Sequence, residues 1–283
     1  MILLYGADTA NIIKEEIESM CKSLNGYTPT LGIVRIGVSP ADLSYEKGAV
    51  KKMESLSLNT EVFEFDESIS SDEFLIEFKK INDDKNIDGI LLFRPLPKHI
   101  DEKKVIDELD EKKDLDGISY KNIAKIFAGE KDGFAPCTAK AVMKIIESNN
   151  IELEGKNVVI VGRSMVIGKP VAMMALSKNA TVTICHSKTE NLKEICKKAD
   201  VLIVAIGKAK MINEDYIGDN ATVIDVGINF VDGKICGDVD LSNVTNASMV
   251  TPVPKGVGAV TTSVLAEHLV IAAKNKLDCE IIS

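Results

Sequence analysis

Short apolar runs alternate with longer amphipathic stretches along most of the chain. The apolar runs of the first half are rich in β-branched residues, and the stretches between them repeat apolar positions with the period of a helix. Strands that alternate with helices form parallel sheets whose connections are crossover helices. The pattern therefore predicts strands at 30–37, 60–65 and 87–93, separated by helices within 6–24, 40–57 and 70–86.

A second series of the same kind follows residues 119–150, which are predicted to form a loop, a helix and a linker. A chain of 283 residues suits two domains of ordinary size or one large α/β domain. The break between the two series favours a division into 1–118 and 119–261, with a C-terminal helix at about 262–283 packing back on the first domain. The strands expected in the second series are 157–162, 180–186, 199–207 and 221–230.

Composition narrows the possible partners. The formal charge of −9 is spread along the chain and leaves no basic stripe for a nucleic-acid backbone. The first residues contain too few apolar side chains for a signal peptide, and no apolar run approaches the length of a membrane span. The six cysteines are scattered, without histidines at metal-ligand spacing. We expect a reduced cytoplasmic protein without a metal, a membrane or a nucleic-acid partner.

The segment VVIVGRSMVIGKP (158–170) predicts a nucleotide-binding turn. It leaves an apolar strand at Gly162 and enters a helix near Gly168. Glycine at such a turn lets backbone N–H groups approach a pyrophosphate, whose charge is favoured at the helix N-terminus. The spacing is not that of G-x-G-x-x-G, so an ordinary strand-to-helix turn is the alternative interpretation.

The end of the next strand indicates which dinucleotide would bind. NAD sites usually carry an acid there for the ribose 2′-hydroxyl, but this chain reads CHSKT at 185–189. Arg163, Ser164, Ser187 and Lys188 instead offer donors to a 2′-phosphate. We therefore predict NADP rather than NAD, although Lys188 could equally be a solvated loop residue.

Eight segments form one ordered set that spans essentially the whole chain. They are GVSPADLSY (37–45), RPLPKHI (94–100), KKDLDGIS (112–119), APCTAKAV (135–142), VVIVGRSMVIGKPVAMM (158–174), TVTICHSKT (181–189), VIDVGIN (223–229) and TPVPKGVGAVTTSV (251–264). In order and spacing they resemble the bifunctional methylenetetrahydrofolate dehydrogenase/cyclohydrolase family, often called FolD. The resemblance implies two α/β domains around a cleft, the second a Rossmann-type doubly wound parallel sheet that binds NADP, and a homodimer.

The resemblance also implies a reaction and a set of site residues. The family oxidises 5,10-methylenetetrahydrofolate to the methenyl compound with NADP and hydrolyses that product to 10-formyltetrahydrofolate. Tyr45 matches the tyrosine beside the folate rings, and Asp116 matches the aspartate that binds the pterin. From the residues alone, Tyr45 could be a half-buried helix aromatic and Asp116 a turn residue before Gly117. The other residues carried over are Leu92, Arg94, Pro254, Gly256, Gly258 and Thr261 for substrate, and Gly162, Arg163, Ser164, Gly168, Ser187 and Ile228 for cofactor.

Among the departures from the family pattern, two fall on its catalytic lysine and the glutamine that partners it. The catalytic lysine of the family lies four residues after the tyrosine, one helical turn on, where this chain has Ala49. Its partner glutamine is replaced by Phe93. On a helix, Lys47 and Lys51 would lie roughly 200° and 240° round from Tyr45, and Lys52 about 10.5 Å further along the axis. The lysines near Tyr45 are therefore predicted to be surface residues.

Hydride transfer depends mainly on holding two carbon atoms in line, whereas hydrolysis needs water activation and proton movement that suit a lysine. The sequence therefore predicts a dehydrogenase with weak or lost cyclohydrolase activity. Three alternatives stay open. One is a fully bifunctional enzyme that uses Lys52, Arg94 or Lys255, another is a non-catalytic folate- or nucleotide-binding protein, and the third is a related oxidoreductase with a changed substrate.

Overall fold

The computed structural model describes residues 1–282, and the side chains of all of these except 41 and 280–282. Helices and strands alternate through most of the chain, as the pattern predicts. The helices are α1 (Gly6–Lys22), α2 (Pro40–Ser55), α3 (Ser71–Asp83), α4 (Glu102–Glu108), α5 (Tyr120–Ala128), α6 (Cys137–Ser148), α7 (Gly168–Leu176), α8 (Leu192–Cys196) and α9 (Thr261–Ile282). The strands are β1 (Ile2–Leu3), β2 (Thr30–Ile36), β3 (Asn59–Phe65), β4 (Gly89–Leu92), β5 (Asn157–Val161), β6 (Thr181–Cys185), β7 (Val201–Val204), β8 (Thr222–Asp225), β9 (Asn229–Val231), β10 (Lys234–Cys236) and β11 (Met249–Val250).

The chain folds as two compact units. The six-stranded unit comprises residues 1–12, 126–129 and 138–261, and the three-stranded unit comprises 13–125, 130–137 and 262–283. Residues 1–12 thus belong with the second series of strands, because β1 pairs with β11. Most of α9 belongs to the three-stranded unit.

The six-stranded unit is built on a parallel sheet with the order β1-β11-β8-β7-β5-β6. All of its strand pairs are parallel. β5, β7 and β8 are buried almost throughout, as expected for strands covered on both faces. The chain runs from β5 to β6 on one side and then returns to β7 on the other. This reversal marks the point at which open α/β sheets bind nucleotides.

The three-stranded unit has a parallel sheet with the order β3-β2-β4. Its core includes the fully buried Phe74 and Phe78 of α3, which pack with the apolar side chains of β4. The helix α3 begins at a capping box, in which Ser70 and Glu73 satisfy each other's backbone N–H groups. Ser39 stands at the N-cap position of α2 but makes no side-chain capping hydrogen bond.

The segment Val257–Cys279 passes a test of length and composition for a membrane span, so the expectation that no run approaches that length was wrong. Its most apolar stretch is 72% buried within the protein. A buried core helix passes the same test, so this segment alone does not indicate a membrane protein.

Candidate active site

Tyr45 lies in the second turn of α2 and packs against Phe93, the residue that follows β4. The two rings meet edge to face, with centroids 5.7 Å apart and an interplanar angle of 77°. Burial raises the pKa of the Tyr45 phenol, and the neighbouring Cys137 thiol and Asp116 carboxyl raise it further. Tyr45 therefore stays protonated at neutral pH and can donate a hydrogen bond, but it is a poor general base.

Asp116 lies beside Tyr45 in the turn that follows β4 and α4. Its Oδ1 accepts the backbone N–H of Cys137 at 2.9 Å. Burial raises the pKa of its carboxyl, aided by the charge of Asp114, whereas the Cys137 N–H and the Arg94 guanidinium lower it. The side chain is only half-buried, so a carboxylate edge could meet a ligand from solvent.

Gly117 explains why the turn after Asp116 is so tight. Its φ is +59°, and a Cβ there would lie 2.3 Å from the carbonyl oxygen of Phe134. The turn interpretation of Asp-Gly and the ligand interpretation of Asp116 are therefore compatible, because the glycine makes the turn and leaves the carboxyl half-exposed.

Ala49, at the predicted position of the family's lysine, is fully buried. Lys52 is half-buried, and its pKa is lowered by burial and by the positive charge of Lys14. The charge that perturbs Lys52 thus lies on α1. Lys47 and Lys51 are exposed, as the helix geometry predicts.

Arg94 is a basic residue whose positive charge lowers the pKa of Asp116. Its Nε and Nη2 atoms donate to Oε1 of Glu102 at 2.8 and 2.7 Å. Glu102 in turn accepts the backbone N–H of Leu96 at 3.0 Å. Leu92, predicted to contact substrate, has its side chain in the core of the three-stranded unit.

The predicted nucleotide loop connects β5 to α7 in the six-stranded unit. Gly162 has φ +143°, and a Cβ there would lie 2.4 Å from the carbonyl oxygen of Ala205. A Cβ on Gly168, the first residue of α7, would lie 2.1 Å from the carbonyl oxygen of Gly162. Both glycines therefore permit a close approach of backbone to backbone that other residues would prevent.

Polar donors at the same edge of the sheet fit a phosphorylated dinucleotide. Arg163 and Ser164 are exposed in the loop after β5, and Ser187 is exposed in the loop after β6. β5 and β6 are adjacent and parallel, so both loops lie at one edge of the sheet. Ser164 accepts the N–H of Ile167 at 3.1 Å, which leaves its hydroxyl hydrogen available to a ligand.

The remaining predicted residues lie between the end of β8 and the first residue of α9, also in the six-stranded unit. Ile228 is 58% exposed, and its Cδ1 lies 3.7 Å from where a Cβ on Gly258 would be. Ile228, predicted to contact the cofactor, thus lies close to Gly258, predicted to contact the substrate. The other three are Pro254, which is exposed, Gly256, which is buried, and Thr261, whose hydroxyl donates to the carbonyl oxygen of Val257 at 3.4 Å. Lys255 has φ +82°, and its carbonyl accepts the N–H of Gly6.

Some residues of the site were not found from the sequence. The Nδ1–H of His268 in α9 donates to the carbonyl oxygen of Leu115 at 2.8 Å, and the Cys137 thiol donates to the same oxygen at 3.3 Å. Arg35, almost fully buried, pairs with Glu46, the residue after Tyr45, at 2.6 Å. Arg35 could have been noticed in the sequence, because it is a charged residue inside the apolar strand predicted at 30–37. No local sequence feature marks His268 as a neighbour of Leu115.

The two units define the class of protein, which is a two-domain α/β protein with a Rossmann-type nucleotide-binding sheet. The family model for the tetrahydrofolate dehydrogenase/cyclohydrolase catalytic domain matches residues 4–116. The model for the NAD(P)-binding domain of the same enzymes matches residues 136–277. The chain belongs to the tetrahydrofolate dehydrogenase/cyclohydrolase family.

Relatives of known name or structure agree with this assignment. The "Bifunctional protein FolD" of Clostridioides difficile is 50% identical over 276 residues, which cover 96% of each chain. The crystal structure of the bifunctional enzyme FolD from Campylobacter jejuni matches with a TM-score of 0.94 and 38% identity, covering 98% of this chain and 99% of that one. The Trypanosoma brucei FolD structure, complexed with NADP cofactor and inhibitor, matches with a TM-score of 0.91 and 27% identity, covering 98% of each chain.

Proposed function

We propose that this protein is an NADP-dependent 5,10-methylenetetrahydrofolate dehydrogenase whose methenyltetrahydrofolate cyclohydrolase activity is weak or lost. The substrates are tetrahydrofolate derivatives, and the protein acts in the cytoplasm as a homodimer. The observation that carries the proposal is the pair of changes next to Tyr45. Ala49 is buried where the family has a lysine, and Phe93 covers Tyr45 where the family has a glutamine.

The dehydrogenase half rests on binding and alignment. When bound, NADP supplies the acceptor for the hydride of the methylene carbon. Asp116 accepts hydrogen bonds from the amino-pyrimidine edge of the pterin, and the Tyr45 ring packs along the folate. Arg163, Ser164 and Ser187 hold the 2′-phosphate side of the dinucleotide. None of these roles requires a titrating side chain at position 49 or 93.

The hydrolase half lacks the groups that would move protons. Hydrolysis of the methenyl cation adds water to a carbon atom and then opens a ring, so protons must leave the water and reach a ring nitrogen. The raised pKa of Tyr45 keeps that phenol protonated, so it cannot serve as a base that takes a proton from water. The aromatic edge of Phe93 also replaces a polar partner with an apolar surface. The protonated Tyr45 and the apolar Phe93 ring therefore both disfavour an activated water beside Tyr45.

A second candidate is a bifunctional enzyme in which Arg94 replaces the lysine. It is favoured by the influence of the Arg94 charge on Asp116, since that charge lowers the pKa of the carboxyl. Against it, the Arg94 guanidinium is already paired with Glu102, and an arginine does not lose its proton near neutral pH.

Two assays on the purified protein test the proposal. The first follows NADP reduction with 5,10-methylenetetrahydrofolate, and the second follows decay of 5,10-methenyltetrahydrofolate without nucleotide. We expect saturable reduction in the first assay and decay no faster than the spontaneous rate in the second. Enzyme-dependent decay that disappears in Arg94→Gln would support the second candidate instead. NADP binding without reduction would indicate a non-catalytic homologue.

A further inference from the structure

Two buried aspartates lie behind the loops at the carboxyl edge of the six-stranded sheet. Asp225 ends β8, and Asp238 follows β10. The Asp225 carboxylate accepts the backbone N–H groups of Gly227 at 3.0 Å, Asp238 at 3.1 Å and Val239 at 2.9 Å. Asp225 therefore holds in place the backbone on which Asp238 stands.

Asp238 in turn binds three consecutive backbone amides. Its carboxylate accepts the N–H groups of Ile206 at 2.7 Å, Gly207 at 2.9 Å and Lys208 at 2.7 Å. It also accepts Nδ2 of Asn229 at 2.9 Å. Consecutive N–H groups that converge on one point form an anion-binding nest. Here a fully buried carboxylate of the protein itself occupies the nest.

The amides that Asp238 binds belong to a loop at the nucleotide crevice. Residues 206–208, named here the β7 turn, follow β7, and the strand order reverses between β5 and β7. A ligand of such a sheet binds at this reversal, outside the carboxyl ends of the strands. The loop after β5 contacts the chain just before the β7 turn, since a Cβ on Gly162 would lie 2.4 Å from the Ala205 carbonyl oxygen. The β7 turn is thus one wall of the crevice, and the loop with Arg163 is the other.

We propose that Asp238 is a positioning residue for NADP: it fixes the β7 turn and fills the amide nest, so that the nucleotide phosphates bind at the β5 loop. A Cβ on Gly227 would lie 2.2 Å from Cγ of Asp238, so the chain leaves space for this carboxylate. The inference rests on the cofactor part of the proposed function and is independent of the loss of hydrolysis.

Asp238→Asn is the direct test. The amide keeps the shape of the carboxylate but places N–H donors against the N–H donors of the β7 turn. We expect NADPH to bind about tenfold more weakly, as loss of one or two net hydrogen bonds implies. The KM for methylenetetrahydrofolate should change by less than about twofold, because the tested contact acts on the nucleotide loop. Amide hydrogen exchange at residues 206–208 should become faster.

Asp240→Asn is the matched control. Asp240 lies two residues further on, and its carboxylate accepts hydrogen bonds from Ser242 and Asn243 rather than from the β7 turn. NADPH affinity, measured by fluorescence titration without folate, should be unchanged in this variant. Equal weakening in both variants, or unchanged NADPH affinity in a folded Asp238→Asn, would overturn the proposal.

Asn229→Ala is the replacement test if Asp238→Asn does not unfold cooperatively and so is not properly folded. It removes a single donor to Asp238 from a half-buried position and leaves the three backbone bonds intact. We expect about threefold weaker NADPH binding, about half the energetic effect of Asp238→Asn. Wild-type NADPH affinity in Asn229→Ala would then overturn the inference. Failure of the wild-type protein to bind NADPH would refute the proposed cofactor instead.

Discussion

Position 93 sets the polarity of the surface that Tyr45 faces. The Phe93 ring is 8% exposed and contacts the tyrosine edge to face. A lysine introduced at position 49 alone would enter a fully buried site one helical turn from Tyr45, and overpacking of that kind costs about 1–3 kcal/mol. Ala49→Lys alone or Phe93→Gln alone would restore only one member of the predicted lysine–glutamine pair.

The double variant Ala49→Lys/Phe93→Gln should therefore gain hydrolysis where the single variants do not. Lysine supplies the titrating amine, and glutamine supplies its hydrogen-bond partner. General acid–base catalysis contributes about 10²–10⁴-fold, so even partial recovery should be measurable as methenyl decay. Ala49→Met/Phe93→Gln is the control of similar bulk without the amine. Hydrolysis equal in the two double variants would show that the amine is not the missing group.

Asp116→Asn should weaken folate binding more than nucleotide binding. The amide cannot accept two hydrogen bonds from the pterin edge, and loss of such a charge-assisted contact costs about 1.5–3 kcal/mol. We expect the KM for methylenetetrahydrofolate to rise by about tenfold or more, with NADPH affinity unchanged. An unchanged folate KM would mean that Asp116 serves only its turn and the Cys137 N–H.

Arg163→Ala should reduce the preference for NADP over NAD. The exposed guanidinium after β5 can pair with the 2′-phosphate, which NAD lacks. A charge-assisted bond of this kind contributes about 1.5–3 kcal/mol, so the ratio of kcat/KM for the two nucleotides should fall at least about tenfold. Equal losses with NADP and NAD would contradict the assignment of Arg163 to the 2′-phosphate.

Sequence reasoning placed individual residues on elements better than it found their neighbours. Tyr45 on α2 and the exposed Lys47 and Lys51 follow from helical geometry alone. The contact of Tyr45 with Phe93 and the bond of Asp116 to the Cys137 N–H join residues far apart in the chain. No local pattern encodes such pairs, because they form only when strands and helices pack.

At the scale of elements, the loops at the carboxyl ends of β7 and β8 depend on two buried carboxylates. Burial and the charge of Asp238 raise the pKa of Asp225 to about 6, against 3.8 for an ordinary aspartate. The native state thus keeps this proton at pH values where the unfolded chain has released it. The stability that Asp225 contributes is fully present below pH 3.8 and is lost as the pH rises through about 6.

This titration predicts a difference between wild type and Asp225→Asn that varies with pH. From about pH 4 to about pH 7 the wild type should lose up to about 3 kcal/mol of unfolding free energy relative to the variant, which cannot titrate at this position. Urea unfolding of both proteins at several pH values measures the difference, with the exposed Asp219→Asn as the control. A constant difference across this range would mean that Asp225 has an ordinary pKa.

The long periodic elements were predicted, and the short ones were not. The strands β2 and β3 and the helices α2 and α3 lie within or near the predicted ranges. The two-residue strands β1 and β11 are too short to show any period, and they form because parallel neighbours pair with them. The strand predicted at 221–230 overlaps the start of a hairpin formed by β9 and β10. The chain turns between these two strands because Asp232 and Gly233 both have positive φ. The helix α5 lies in a stretch where the sequence pattern predicts a loop.

On the scale of the whole molecule, the two family models match the two strand series in the order of the chain. The long helix α9 contributes to the three-stranded unit through ion pairing as well as apolar burial. Lys276 of α9 binds Asp88, whose side chain is fully buried, at 2.8 Å. A lysine paired with a buried aspartate suits a helix of the protein core better than one in lipid.

The central claim concerns which product the enzyme releases. Fold and family leave open whether the methenyl intermediate is hydrolysed, and we propose from the residues beside Tyr45 that this hydrolysis is weak or lost. The proposal rests on Tyr45, Asp116 and Arg163 as predicted binding residues, and on Ala49 and Phe93 at the predicted positions of the family's lysine and glutamine.

The most direct test is to analyse the products of one reaction that contains the wild-type enzyme, methylenetetrahydrofolate and NADP. Chromatography over the time course separates methenyltetrahydrofolate from 10-formyltetrahydrofolate. Our account predicts that methenyltetrahydrofolate accumulates in step with NADPH, and that 10-formyltetrahydrofolate appears no faster than in an enzyme-free control started from methenyltetrahydrofolate. Formation of 10-formyltetrahydrofolate at the rate of NADPH, without accumulation of the methenyl compound, would contradict it.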